Sequence, residues 1–184
     1  MKMKFRFIGL ALGSLLLFTA VAQSKVFYSV KALLSEQFNS SKRVTFVRVD
    51  PGDKERAAIS KRLLKKLPKQ PYSFYVAMSG DKVDGYALFD SELGQHEPID
   101  FATFFDKHGK VTRVEVVAYR EAYGEGIRSA GFRKQFIGRN ANSGYTPRKD
   151  IDIVSGATIS SKSMAVAVQR AAVLLDETVL KGAP

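Results

Sequence analysis

Tyr72-Ser-Phe-Tyr-Val-Ala-Met78, then Ser79-Gly80-Asp81-Lys82, then Val83-Asp-Gly-Tyr-Ala-Leu-Phe89 is the stretch that decides the fold. Two runs rich in aromatic and β-branched residues flank a short polar turn containing glycine, the pattern of a β-hairpin. A second pair repeats it: Ile99–Phe105 and Val111–Tyr119 flank a turn at His108-Gly109. Consecutive hairpins imply antiparallel pairing, and helical segments lie on both sides of the run. The expected class is therefore α+β, a single domain with an antiparallel sheet flanked by helices, and not a doubly wound parallel sheet.

Working outward toward the N-terminus, apolar spacing predicts a helix over residues 27–38, with Val30, Leu33, Leu34 and Phe38 on one side. A strand follows at residues 43–49. Pro51-Gly52-Asp53 breaks the chain and opens a second helix, about 54–67, that ends before Pro68. Its apolar positions are Ile59, Leu63, Leu64 and Leu67, which leaves Lys61-Arg62 and Lys65-Lys66 on a solvated face. Residues 25–70 are thus expected either as a helical N-terminal elaboration packed on a core formed by residues 71–184 or as a loosely attached partner-binding piece.

Toward the C-terminus, a polar loop at residues 139–149 delivers the chain to Asp152-Ile-Val-Ser155-Gly156-Ala157-Thr158-Ile-Ser160-Ser161. Met164, Val168, Ala171, Ala172, Leu175 and Val179 then recur at helical steps, so this small-residue turn sits at a helix N-terminus. Backbone N–H groups there lack intrahelical partners and the macrodipole is positive, which favours a phosphate beside the Thr158 hydroxyl. Gly156 permits close backbone approach and Ala157 leaves the hydroxyl uncovered. The alternative role for a hydroxyl at this place is a helix cap.

The D-x-x-S-G-A-T arrangement of Asp152, Ser155, Gly156, Ala157 and Thr158 resembles the flavinylation motif of the FMN-binding domain family. That family includes the covalent-FMN subunits of Rnf and sodium-pumping NADH:quinone reductase complexes. The resemblance implies that a separate FAD:protein FMN transferase esterifies Thr158 to the FMN phosphate. It also implies that Asp152 shapes the loop or is engaged by the transferase, and that Ser155 and Ser160 either hydrogen-bond the phosphate or cap the helix. A second stretch, Tyr119-Arg-Glu121-Ala-Tyr123-Gly124-Glu-Gly126-Ile127, is similar to the family's E-x-x-G-x-G loop, in which glycines let backbone approach the flavin. Glu121, Gly124 and Gly126 match it, and Tyr123 stands where the family commonly has proline. Tyr123 then either stacks on an isoalloxazine edge or packs on the sheet. Phe132 and Phe136, four residues apart, are expected in the core or as a cofactor-facing wall.

Composition narrows the chemistry. The chain has no cysteine, so attached c-type haem, thiolate iron–sulfur clusters and redox disulfides are excluded. Its only imidazoles are His96 and His108, which makes a histidine metal centre an unsuitable reading. Glu92, His96 and Glu97 read as a surface loop, with His96 as a candidate proton donor near the flavin. Electrons, if the protein carries them, require an organic cofactor.

Residues 1–22 have the form of a signal peptide: Lys2, Lys4 and Arg6, an apolar run from Phe7 to Val21, and a small-x-small site at Ala20-Val21-Ala22. The run is shorter than the ~20 residues of a spanning helix. Cleavage after Ala22 would lower the formal net charge from +11 to +8. The expectation is an exported, periplasmic protein, the alternative being an inner-membrane anchor formed by the uncleaved segment. Its basic balance suits a membrane surface or an acidic redox partner, while no nucleic-acid module signature is present. The implied role is that of an electron carrier with covalent FMN and an unidentified donor and acceptor. Alternatives are a noncovalent flavin-binding or partner-binding module without that role, or a purely structural exported domain.

Overall fold

A computed structural model describes residues 24–182; the expected signal peptide lies outside the described residues. The elements are β1 (Lys25–Val26), α1 (Val30–Gln37), β2 (Arg43–Val49), α2 (Asp53–Leu63), β3 (Tyr72–Ser79), β4 (Lys82–Leu93), β5 (Pro98–Asp106), β6 (Val111–Tyr119), a 3-10 turn (Glu125–Arg128), α3 (Ala130–Lys134) and α4 (Thr158–Leu175), which ends in a π turn (Asp176–Leu180). The strands form one antiparallel sheet in the order β1-β6-β5-β4-β3-β2. The α+β class expected from the hairpins is the observed one.

Alternation along the strands divides the core into two layers. Phe74 and Val76 of β3, Tyr86 and Leu88 of β4, and Phe101 and Phe105 of β5 face α4. Ala77, Ala87, Ala102 and Phe104 face the other way, toward Leu33 of α1 and Phe38 at its C-cap. The three alanines leave room for that short helix to lie close to the sheet. Helix α4 is enclosed along most of its length, with Met164, Val168, Ala171, Ala172 and Leu175 buried as the spacing predicts. Val179 falls in the π turn and is half-buried.

The N-terminal region is more than a helical elaboration, because β1 and β2 form the two edges of the same sheet. Helix α1 begins at Val30 and not at residue 27. Phe27 N–H instead bonds the Val117 carbonyl at 2.9 Å, and the Ser29 hydroxyl accepts from Ala32 N–H at 3.1 Å. Helix α2 ends four residues earlier than expected, since Leu64 adopts a left-handed conformation (φ 51°) and is 93% exposed. The Ser60 hydroxyl then accepts from Leu67 N–H at 3.0 Å, which folds Leu67 back into the core.

Two charged readings are corrected. Arg62 is not a solvated cation: it pairs with Asp176 and Glu177 and donates to the Ala141 carbonyl and Asn142, tying α2 to the end of the chain. Glu92 is not a loop residue. It lies on β4, which runs four residues past Phe89, and its carboxylate meets Arg170 of α4. Arg170 is 3% exposed and also bonds Asp90 at 2.6 Å and the Ser91 carbonyl at 2.8 Å. Asp90 and Glu92 continue the α4-facing alternation of Tyr86 and Leu88, with an ion pair in place of apolar contact.

Candidate functional site

The site is built where three connections meet: the β4–β5 turn, the loop after β6 and the entry to α4. Gln95, Glu121, Tyr123, Gly124, Gly156, Ala157, Thr158, Ile159 and Ser160 line a cavity of about 270 Å³. Two stretches separated by more than thirty residues of sequence therefore converge, and Glu121 and Gly124 share a wall with Gly156, Ala157, Thr158 and Ser160.

At the α4 end, the N-cap is Ala157, which has no capping side chain and is buried. Thr158 is the first helical residue, half-buried, and its hydroxyl makes no hydrogen bond among the described residues. The cap role weighed for this hydroxyl is thus absent. The first helical bond runs from Ser161 N–H to the Ala157 carbonyl at 2.8 Å. The N–H groups of Thr158, Ile159 and Ser160 precede that ladder and have no acceptor among the described residues. Gly156 reaches this turn with φ +73°, a conformation that L side chains rarely adopt. The bend is held from behind by Ser161, whose hydroxyl accepts from Val154 N–H at 3.1 Å.

Ser160 is held differently. The Tyr119 hydroxyl donates to the Tyr123 carbonyl, and a carbonyl can only accept. Its 2.8 Å contact with Ser160 Oγ therefore carries the serine proton, so the Ser160 hydroxyl is committed to Tyr119. Burial pushes the Tyr119 phenol above its ordinary range, so it stays protonated at neutral pH. These hydroxyls fasten the glycine loop to α4. A Cβ on Gly124 would come within 2.6 Å of both oxygens, and Gly124 has φ +95°, so glycine is required there on two counts. Gly126 does not line the cavity; a Cβ on it would meet Val154 Cγ1 at 2.9 Å.

Glu121 clasps the β4–β5 turn. Its Oε1 accepts from His96 N–H at 2.6 Å and Glu97 N–H at 3.0 Å. Desolvation would raise the pKa of this carboxyl, but the backbone donors of Glu97, His96 and Gln95 outweigh it and hold the group below its ordinary value. The clasp brings Gln95 to the cavity wall, a residue that sequence reasoning missed. Gly94 is its local signal, because a Cβ there would lie 2.4 Å from Glu121 Oε1.

Other expected residues lie outside the cavity. Asp152 is exposed and opens onto a second groove with Phe132 and Gln135. Gln135 brackets its backbone, accepting from Asp152 N–H at 2.8 Å and donating to its carbonyl at 3.3 Å. Ser155 is exposed and lines neither space, and His96 is likewise exposed and outside the cavity. Tyr123 does not pack on the sheet: it is 86% exposed at the cavity rim, with Ile159 43% exposed on the facing helix. Phe132 and Phe136 are buried and meet edge-to-face, ring centroids 5.6 Å apart. Lys25 of β1 pairs with Glu125 at 2.6 Å, and the Arg128 guanidinium lies 3.5 Å from the Phe27 ring centroid, so the N-terminal edge braces the loop.

Among the described residues no Lys or Arg lines the cavity, and the carboxylate in its wall, Glu121, is engaged by the backbone donors of the β4–β5 turn. Any positive field in it comes from the backbone at the start of α4. A small recess with three free N–H donors, one free hydroxyl and an aromatic rim fits a phosphate ester that carries a planar ring. Residues 94–173 match the family model described as FMN-binding domain, a span that contains all three connections. No curated protein matches the chain.

Proposed function

We propose, from the premise that residues 94–173 are an FMN-binding domain, that this chain is an exported electron carrier whose FMN is esterified to Thr158. The observation that carries the proposal is the state of the Thr158 hydroxyl. It lies in the recess beside free helix-start N–H groups, and no cap or other hydrogen bond among the described residues occupies it.

In this reading the N–H groups of Thr158, Ile159 and Ser160 hold the phosphate, and backbone at Gly124 and Gly156 lies against the cofactor without side-chain obstruction. Tyr123 and Ile159 supply apolar surface for the ring. FMN, when bound, supplies one- and two-electron redox chemistry. Attachment requires Thr158 Oγ1 to lose its proton and bond to phosphorus as the phosphoanhydride of FAD breaks and AMP departs. Thr158 is then an attachment nucleophile and takes no part in turnover. An FAD:protein FMN transferase performs that step, engaging the loop from the side where Asp152 and Ser155 are exposed. Export by residues 1–22 makes a covalent tether useful, since a dissociating cofactor is diluted outside the cell.

Coexpression with a competent transferase, followed by intact mass measurement, tests attachment and signal removal together. The expected product begins near Gln23 and carries one FMN phosphoester. A yellow protein that loses its colour on denaturing filtration would instead support noncovalent binding.

A further inference from the structure

A groove of about 700 Å³ shares no residue with the FMN cavity. It lies between α1 and β2, on the side of the sheet away from α4. Lys31 and Lys42 line it, Arg43 borders it at the start of β2 with its guanidinium donating to Met78 Sδ at 3.5 Å on the other face, and no carboxylate among the described residues lines it. These three, and Arg48 at the far end of β2, are exposed and have no ion-pair partner among the described residues.

Strand β2 is the long free edge of the sheet. It pairs with β3 over seven residues without a register shift, and its other side faces no strand among the described residues. Such an edge presents a row of unpaired backbone groups, and proteins commonly blunt it with charged side chains, proline, bulges or short length. Strand β2 carries Arg43 and Arg48 but no proline, bulge or shortening, so its charge alone selects against basic partners. Its partners Ala77 and Tyr75 place Val44 and Phe46 on the groove side, where they are 40% and 63% exposed. An apolar surface bordered by an open strand edge suits β-strand addition, in which backbone bonds supply affinity and alternate side chains supply specificity.

The cations select the occupant. A second copy laid along β2 would bring Lys42, Arg43 and Arg48 of two basic chains together, and like charges across an interface disfavour that pairing. An extended segment with carboxylates would neutralise them. We propose that the free edge of β2 and the α1–β2 groove dock an extended acidic segment of a partner protein, which adds to the sheet as a seventh strand. The docking site is independent of flavin attachment.

Selection of displayed random nonapeptides on the full chain tests this. Enriched sequences are expected to alternate apolar residues with Asp or Glu. Synthetic versions should slow amide exchange at residues 43–49, bind more weakly in higher salt, and lose at least tenfold in affinity on Arg43→Glu/Arg48→Glu. Phe46→Ser should weaken binding while leaving all cations in place, which guards against misfolding of the charge-reversed variant. The proposal is overturned by failure to enrich any peptide, by enriched peptides without net negative charge, or by protection that maps elsewhere. It is equally overturned if residues 43–49 become protected by self-association of the chain, or only by phosphatidylglycerol vesicles.

Discussion

The hydroxyls of Tyr119 and Ser160 meet at 2.8 Å, joining the end of β6 to the first turn of α4 across 41 residues of sequence. Tyr119 donates its own hydrogen bond to the Tyr123 carbonyl, so one phenol fixes the glycine loop and the helix together. Tyr119→Phe leaves a buried serine hydroxyl and a loop carbonyl without partners. The expected loss is about 1–3 kcal/mol in urea denaturation. Covalent flavin should persist, because Thr158 is untouched. A loss below the resolution of the measurement would mean that the loop is held by other contacts.

Thr158→Ala separates an attachment hydroxyl from a structural one. Since Ala157 is the N-cap and the threonine hydroxyl has no partner among the described residues, stability should change by less than the ~1 kcal/mol typical of a lost cap. In-gel flavin fluorescence after denaturation should vanish. Thr158→Ser should retain part of it, the nucleophilic oxygen surviving without the methyl group that restricts its rotamer. Fluorescence persisting in Thr158→Ala would place the tether elsewhere.

The two glycines of the loop should behave differently. Gly124→Val combines a positive φ with a collision against Tyr119 and Ser160, so it should destabilise the fold and perturb the flavin spectrum. Gly126→Val meets only the Val154 side chain, outside the cavity, and should shift stability more than it shifts the spectrum. Thermal melts and absorbance spectra of both variants give the comparison. Equal spectral shifts would show that both glycines border the ring.

Arg170→Met leaves Asp90 facing α4 without a cation and Glu92 with Lys65 alone, which should cost about 3–5 kcal/mol at neutral pH. The pH dependence has a definite sign. Desolvation opposes ionisation of Glu92, yet hydrogen bonds and charge from Lys65 and Arg170 hold its pKa below the ordinary 4.5. A lowered folded pKa contributes stability above the unfolded value, and that contribution is lost as pH falls through the folded one. The gap between parent and variant should therefore narrow below pH 4.5 in chemical denaturation. A gap constant with pH would mean that the arginine acts by packing alone.

Local spacing carried much of this molecule. Alternation located β3, β5 and β6 to within a residue or two, because period-two burial depends only on neighbours along the strand. The helical steps after Thr158 and the small-residue motif before it were legible for the same reason. Contacts between distant segments were not. Asp90 to Leu93 read as the start of a loop, since nothing nearby reveals that Arg170, 80 residues on, replaces apolar burial with an ion pair. Leu64 read as a core residue because its left-handed turn is imposed by the return of Leu67 to the core, not by a glycine signal. The sequence by itself determined an α+β chain of antiparallel hairpins and singled out a threonine at a helix start. Only the tertiary structure decided that this threonine is free of capping, that Glu121 clasps the turn bearing Gln95, and that β2 is an open edge. Each of these depends on which remote groups compete for the same hydrogen bonds, and periodicity along a chain holds no record of that competition.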